Sequence, residues 1–367
     1  MGNNLSMGAA TGRGERASAT TRLDAFQQRH PTIGFPLATA YKFFDDQGPY
    51  LAALIAYYGF LSFFPLLLLL TSTLGFVLQH DADLQRRILE STLAQFPVIG
   101  DELGRPQGLR GSTGALVTGS LVALYGALGV AQAVQNALNT AWAVPRNMRA
   151  NPLRARVRSL LLIGVGGIAT LATTVLTALV GTGSAFGSQL GGWRMLAAVL
   201  ASVVVNSGVF VLVFWISTTA KRRPGDVVPG ALVAAFVWQL LQVFGTAYVG
   251  SVVKNNGSTY GVFALVLGLL GWIFLAGIGI VLGAEVNVVR ARKLYPRALL
   301  TPFTDDVDLT PADQRSYAGA AEAQRFKGFE TVEVSFEHDG QFATARRIRT
   351  DHDDDEVRRP STRRTGR

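Results

Sequence analysis

Residues 255–284 read NNGSTYGVFALVLGLLGWIFLAGIGIVLGA and contain no charged side chain. About 20 predominantly apolar residues are enough to cross a bilayer as an α-helix. The stretch therefore predicts a membrane-spanning helix, and five earlier uncharged stretches predict five more. We expect an all-α integral membrane protein, in which a six-transmembrane-helix bundle follows a short interfacial helix and lies between disordered cytoplasmic tails.

The predicted organisation has three parts: a disordered N-terminal tail over 1–34, a transmembrane domain over 35–295, and a mostly disordered C-terminal tail over 296–367. The six spans are expected at about 51–78, 113–138, 159–182, 195–219, 228–252 and 261–284. The tail also contains TVEVSFEHDGQFATARRI, whose alternation around Asp339-Gly340 is a hairpin signal.

Two polar segments of the chain leave alternatives open. Leu37, Tyr41 and Phe44 recur at helical spacing just before the first span, which indicates a helix on the membrane surface or a polar linker. The loop over 79–110 has a helical interior, and its His80-Asp81-Ala82-Asp83 group is either a metal site or a helix cap.

Composition restricts the function classes. Hydrophobic residues make up 49% of the 367 residues and charged residues 16%, and the apolar residues are concentrated in blocks, which argues against two soluble domains. The chain has no cysteine, which excludes disulfides, thiolate metal sites and cysteine nucleophiles. No spacing of histidines and carboxylates is typical of a metal or catalytic site, so we expect no enzyme activity, no metal and no cofactor.

The distribution of basic residues predicts the orientation. The N-terminal region and the connections over 146–158, 221–223 and 290–297 carry 17 Lys and Arg, and the alternate loops carry 6. The positive-inside rule then places both termini in the cytoplasm. The net charge of +9 is expected to serve this orientation and to meet anionic lipid headgroups rather than nucleic acid. The predicted partner is therefore the bilayer; the sequence leaves the oligomeric state open.

Glu285 is the most informative single residue, because it directly follows the last apolar stretch. Its neighbours at i+3 and i+4 are Val288 and Val289, so no base of its own helix can pair with it. We expect it to reach water, a lipid amine or a base on another element such as Lys42. It is either an ordinary interfacial acid or a residue with a packing or gating role.

Several uncharged residues are candidates for helix contact or for a polar path. Gly279 and Gly283 form a GxxxG spacing that favours close helix contact. Pro65 either breaks the first span or is a harmless helix proline. Gln132, Gln135, Asn136 and Asn139 share one face of the second span and either bind helices together or line a cavity. The other polar candidates within later spans are Asn206, Gln239 and Gln242.

Two segments resemble signatures of a known family. ALIAYYGFLSFFPLLLLLTS (53–72) and YGVFALVLGLLGWIFLAGIGIVLGAEVN (260–287) resemble the first-helix and closing signatures of the YihY/BrkB family of bacterial inner-membrane proteins. The resemblance covers about 37–295 and implies a six-helix bundle with cytoplasmic termini in the bacterial plasma membrane. The family positions that map here are Tyr57, Pro65, Tyr260, Gly261, Glu285 and Asn287, none with a catalytic role.

The resemblance does not imply a settled biochemical activity. Family members have been labelled ribonuclease BN, a label generally regarded as mistaken, and virulence factor BrkB, and export of lipids or solutes has been suggested. We therefore expect a transporter or exporter of lipids or small amphiphilic substrates. The alternatives are a non-transporting envelope scaffold and, least favoured, a ribonuclease.

Overall fold

The structure is a computed structural model that describes residues 22–77, 113–181, 191–220, 222–255, 258–305, 307–338 and 341–342. The predicted helical interior of the 79–110 loop and the His80-Asp81-Ala82-Asp83 group lie outside the described residues. The chain divides into two compact units. The smaller contains 1–34, 145–147 and 294–367, and the larger contains 35–144 and 148–293.

The described part of the chain is mainly helical and contains one short hairpin. In chain order the helices are α1 (22–29), α2 (Pro31–Asp45), α3 (Gly48–Val77), α4 (Thr113–Ala141), α5 (Pro152–Gly181), α6 (Gly191–Ser217), α7 (Val228–Asn255), α8 (Ser258–Ala291) and α9 (Pro311–Glu322). The strands β1 (Glu337–His338) and β2 (Gln341–Phe342) pair antiparallel. They flank the predicted turn position Asp339-Gly340, so the hairpin prediction is confirmed.

Six long helices, α3 to α8, occupy the ranges of the six predicted spans. Among the described residues, four stretches are long and apolar enough to cross a membrane: Val117–Ala141, Leu200–Ser217, Pro224–Gly245 and Val266–Ala291. The residues of α3 over Gly48–Phe63 form a shorter apolar stretch. The chain is thus a helical membrane protein, and its number of crossings stays a prediction.

α3 continues through Pro65 without a break, which is the harmless-proline alternative that the sequence left open. Two helix boundaries differ from the sequence expectation. α5 begins at Pro152, because the Asn151 side chain accepts a hydrogen bond from the Arg154 N–H at 2.9 Å and proline suits the first helical position. Of the five arginines predicted to lie in a loop, three therefore lie in the first turns of α5: Arg154, Arg156 and Arg158. α8 continues to Ala291, well past Glu285, because a charged side chain does not interrupt backbone hydrogen bonding.

Close backbone contacts position the helices of the larger unit. α3 packs on α4 and α8, and α8 also packs on α7. A Cβ added at Gly283 would lie 2.6 Å from the carbonyl oxygen of Gly230 in α7, and one at Gly279 would lie 2.8 Å from a methyl group of Val237. The prediction that the GxxxG spacing marks a close helix contact is confirmed.

The smaller unit contains segments of both predicted tails that form specific contacts. Arg297 and Asp313 form an ion pair at 2.6 Å, and both side chains are buried. Asp313 also accepts the Thr310 N–H at 3.1 Å while Thr310 accepts the Asp313 N–H at 3.2 Å, a capping box that begins α9. Gln27 of α1 is buried and donates to the Arg297 carbonyl. Burial of these paired polar groups orders the segment.

Candidate functional site

Three charged side chains form a buried charge cluster: Lys42 near the end of α2, Asp46 just after it, and Glu285 in α8. Lys42 is 3% exposed and Glu285 is fully buried. The Lys42 Nζ lies 3.6 Å from Glu285 Oε2 and also forms an ion pair with Asp46. Of the three partners that the sequence left open for Glu285, the structure shows the base on another element, Lys42.

The backbone around the cluster explains how the three groups meet. Gln47 adopts a left-handed conformation (φ 57°), which ends α2 and starts α3 at Gly48. Asp46 lies just before this residue, four positions after Lys42, so its side chain is one helical turn from that of Lys42. The Lys42 Nζ also donates to the carbonyl oxygen of Ala141 at the end of α4, at 3.2 Å. The cluster thus connects α2, α4 and α8.

The charges of the cluster do not cancel. When all three groups are ionised, two carboxylates face one ammonium, so the cluster has one excess negative charge. Burial raises the pKa of the Asp46 carboxyl above its ordinary value, and the positive charge of Lys42 only partly opposes this effect. Sequence reasoning proposed Lys42 as one partner but missed Asp46; their i, i+4 spacing on a helix is the signal that could have found it.

Asn287 lies one helical turn C-terminal to Gly283 and holds α8 against α7. It is 1% exposed, and its Oδ1 accepts the Gly230 N–H at 2.6 Å. That N–H belongs to the first turn of α7, where backbone donors have no partner within the helix. Asn287 of α8 therefore caps the N-terminus of a different helix, α7. No spacing in the sequence indicated this role.

The four polar side chains predicted to share one face of α4 have different surroundings in the structure. Gln135 donates to Ser159 Oγ at 2.8 Å, and Asn139 accepts from Thr218 Oγ1 at 3.0 Å. Asn136 accepts from Arg149 at 3.0 Å, while Gln132 is exposed. These contacts bind helices together, which is one of the two alternatives that the sequence left open.

The remaining predicted site residues are distributed over the bundle. Tyr57 is 60% exposed, with its ring centroid 5.2 Å from that of Tyr58. The half-buried residues are Pro65, Asn206, Gln239 and Gln242. Tyr260 and Gly261 belong to the helical backbone of α8, and their side chains lie outside the described set.

An apolar cavity of about 120 Å³ lies between α6, α7 and α8. Its lining includes Phe210, Val237, Trp238, Leu241, Ala276 and Ile280. Trp238 and Trp272 stack edge to face at 5.1 Å, and the Trp272 indole donates to the Leu241 carbonyl at 3.3 Å. In the described part of the chain, none of the residues predicted to form a polar path lines this cavity.

The fold and the buried cluster define a helical integral membrane protein. The family described as Virulence factor BrkB matches residues 39–305, and the chain belongs to that family. The resemblance in the two signature segments is thereby confirmed over most of the chain.

Two relatives show how far the similarity extends. A protein named ribonuclease-like, YfkH of Bacillus subtilis (strain 168), is 26% identical over 271 residues, which cover 68% of this chain and 93% of that protein. A UPF0761 membrane protein of Stenotrophomonas maltophilia (strain K279a) is 25% identical over 293 residues, which cover 74% of this chain. The match spans 64% of the length of that relative. No solved structure matches the chain.

Proposed function

We propose that this protein moves lipids or other amphiphiles across the bacterial plasma membrane, passively or driven by a gradient. The observation that carries the proposal is the apolar cavity between α6, α7 and α8. Its volume of about 120 Å³ is close to that of apolar protein cavities that bind benzene, roughly 150 Å³. The cavity suits a segment of an acyl chain better than a polar solute.

The polar contacts of α4 favour an amphiphilic substrate over a small polar solute. A path for a polar solute needs side chains that face water, but Gln135 and Asn139 are buried in hydrogen bonds to other helices. The buried charge cluster supplies the second element of the proposal. Ionisable groups within membrane helices are costly and commonly mark substrate paths or gates. We assign the Lys42–Glu285 pair the role of a gate that holds α2 and α8 together.

The proposal includes the orientation expected from the basic residues, with both termini in the cytoplasm. Arg149, Arg154, Arg156 and Arg158 lie between α4 and the apolar part of α5, where they would meet the cytoplasmic leaflet. Reporter fusions within 146–158 should be active only on the cytoplasmic side. Activity on the outer side would reverse the proposed orientation.

A proteoliposome assay tests the proposed transport. Purified protein in liposomes that contain fluorescent phospholipid should accelerate exchange between the leaflets, measured by dithionite quenching. Ala276→Phe places a bulky ring at the cavity wall and should slow exchange, whereas Leu275→Phe, at a neighbouring position that is 48% exposed, should not. Glu285→Gln should also slow exchange. Unchanged rates with wild-type protein across a broad panel of lipids and amphiphiles would contradict the proposal.

One observation favours a second candidate, a scaffold for envelope machinery. The ordered smaller unit presents Phe303, Phe326 and Phe329, which are 78%, 57% and 87% exposed. Exposed aromatic side chains are enriched at protein interfaces. Phe329→Ser is a sharper test than deletion of 300–367, because that deletion removes Asp313, the ion-pair partner of the buried Arg297. Loss of cellular function with intact lipid exchange would favour the scaffold.

We do not assign ribonuclease activity to the chain. The sequence contains no arrangement of nucleophile, base and metal ligands that RNA cleavage requires. RNA cleavage by the pure protein, lost on a defined point mutation, would overturn this part of the proposal.

A further inference from the structure

α1 turns its polar side chains toward the rest of the smaller unit. Asp24 accepts hydrogen bonds from the Leu299 N–H at 2.8 Å and from the Gln27 side chain at 2.9 Å. Gln27 is 4% exposed and also donates to the Arg297 carbonyl. Gln28 donates to the second carboxylate oxygen of Asp24 at 2.8 Å. Because buried polar groups keep their hydrogen-bond partners, these contacts fix which side of α1 faces the unit.

The opposite side of α1, which we call its outer face, consists of Arg22, Leu23, Phe26 and Arg29. Successive helical residues are about 100° apart, so these four positions fall within about 120° of the helix circumference. Leu23 is 59% exposed, Phe26 is 50% exposed, and both arginines are exposed. This arrangement is the reverse of the usual one, in which a helix buries its large apolar side chains and exposes its polar ones.

The charges of the outer face are all positive. Arg22 and Arg29 border the two apolar side chains, whereas the acid of α1, Asp24, faces the unit. Ile33 in the first turn of α2 adds a third apolar side chain, which is 47% exposed. Apolar residues bordered by arginines are typical of helices in the surface of an anionic bilayer. There the apolar side chains reach the acyl boundary, and the long arginine side chains extend to the lipid phosphates.

We propose that α1 lies in the surface of the bilayer, on the side of the membrane where the N-terminus lies, with its outer face toward anionic lipids. The chain connection agrees with this placement. Between α1 and the start of α3 lie the 15-residue helix α2 and a few turn residues, and a helix of that length covers about 22 Å. The apolar stretch Gly48–Phe63 begins directly afterwards, so the chain that contains α1 enters the membrane nearby.

A second copy of this chain fits the outer face less well than the bilayer does. A symmetric dimer buries the same surface of both subunits. Arg22 and Arg29 of each copy would then share one interface, and the outer face offers no acid to pair with them. A helix can lie on the membrane in a protein that transports nothing, so this placement and the proposed transport are tested separately.

The experiment measures how deeply the outer face enters the bilayer. The chain has no cysteine, so a nitrobenzoxadiazole fluorophore can be attached to full-length Leu23→Cys, Phe26→Cys or Gln28→Cys. Each is reconstituted in vesicles of phosphatidylglycerol and phosphatidylcholine that contain nitroxide-labelled lipid. Labels at 23 and 26 should lose fluorescence to the lipid quencher, at a depth of about 5–10 Å in the boundary between headgroups and acyl chains. The label at 28, about 160° from Phe26 around the helix, should be quenched much less.

This design keeps the test independent of folding and of the fluorophore. Leu23 and Phe26 are exposed, so labelling should leave the fold intact, which an unchanged circular dichroism spectrum checks. The same fluorophore at 28 controls for its own affinity for lipid.

A second variant tests the role of charge while it keeps the apolar residues. In vesicles with phosphatidylglycerol, Arg22→Gln/Arg29→Gln should lower the ratio of inserted to water-exposed label at 26 by about fivefold for each arginine removed. In vesicles of phosphatidylcholine alone the ratio should not respond to these substitutions. The matched control Lys327→Gln, on an exposed base of the same unit, should change the ratio less than about twofold.

Three results would overturn the inference. Lipid quenching that is absent at 26, or equal at 26 and 28, would place the outer face away from the bilayer. Self-quenching between labelled chains in place of lipid quenching would assign the face to a second copy of the chain. Insertion that responds neither to phosphatidylglycerol nor to the two arginines would exclude recognition of anionic lipid.

Discussion

Replacing Lys42 by Met tests whether the buried charge cluster holds the bundle together. The substitution keeps the aliphatic part of the side chain and removes the ammonium that lies 3.6 Å from Glu285. With an effective dielectric constant of about 20, the lost attraction at this distance is about 5 kcal/mol. Breaking a buried ion pair by removing one partner costs about 3–5 kcal/mol in proteins. We therefore expect Lys42→Met to lower the free energy of unfolding by about 4 kcal/mol.

The double variant measures the interaction between Lys42 and Glu285 separately from the other contacts of Lys42. Lys42→Met/Glu285→Gln removes both charges, so its cost should fall below that of Lys42→Met alone, with a coupling energy of about 2–3 kcal/mol. The assay is unfolding of the purified protein in mixed micelles by increasing sodium dodecyl sulfate, followed by circular dichroism. Lys327→Met, on an exposed lysine, is the matched control and should change stability by less than about 0.5 kcal/mol. Additive effects of the two single substitutions would refute the reasoning.

Three further predictions use the same unfolding assay, limited proteolysis or thermal unfolding. Gly230→Ala should cost more than about 2 kcal/mol, because its Cβ would overlap the carbonyl oxygen of Gly283, whereas Gly271→Ala, where nothing lies within 4 Å, should be neutral or stabilising. Asp313→Ala should remove the buried ion pair with Arg297 and expose the smaller unit to protease; proteolysis as slow as in the wild type would count against the importance of that ion pair. A carboxyl whose pKa is raised in the folded state stabilises the protein at low pH, and this contribution is lost as the pH rises through the raised pKa. Apparent melting temperatures should therefore fall as the pH rises above about 4, and Asp46→Asn should flatten that fall; an unchanged slope would contradict the assignment.

The sequence was sufficient to predict the positions of the long helices. Uncharged stretches of 20 or more residues have few stable alternatives to a membrane helix, because every backbone group must be paired in a bilayer. The GxxxG spacing at Gly279 and Gly283 and the alternation on both sides of 339–340 are also local signals, and the structure shows the close helix contact and the antiparallel strand pair. Helix ends were less predictable. Charge marked the end of the apolar stretch at Glu285, but hydrogen bonding extends α8 to Ala291.

Long-range contacts decided the candidate site. Nothing local in the sequence places Asp46 beside Glu285, or the Ala141 carbonyl beside Lys42, because the partners are about 100 to 240 residues apart. The contacts of the C-terminal segment could not be predicted for the same reason. Arg297 and Asp313 look like ordinary surface charges until folding buries both together.

The amino-acid sequence by itself determined that this protein is a membrane protein made of helices, since hydropathy and helix periodicity are properties of neighbouring residues. Only the tertiary structure decided which charges share a buried site and which polar side chains bind helices together. The physical reason is that the energy of a buried charge depends on the groups that surround it in space, and close packing of α2, α4 and α8 selects those groups.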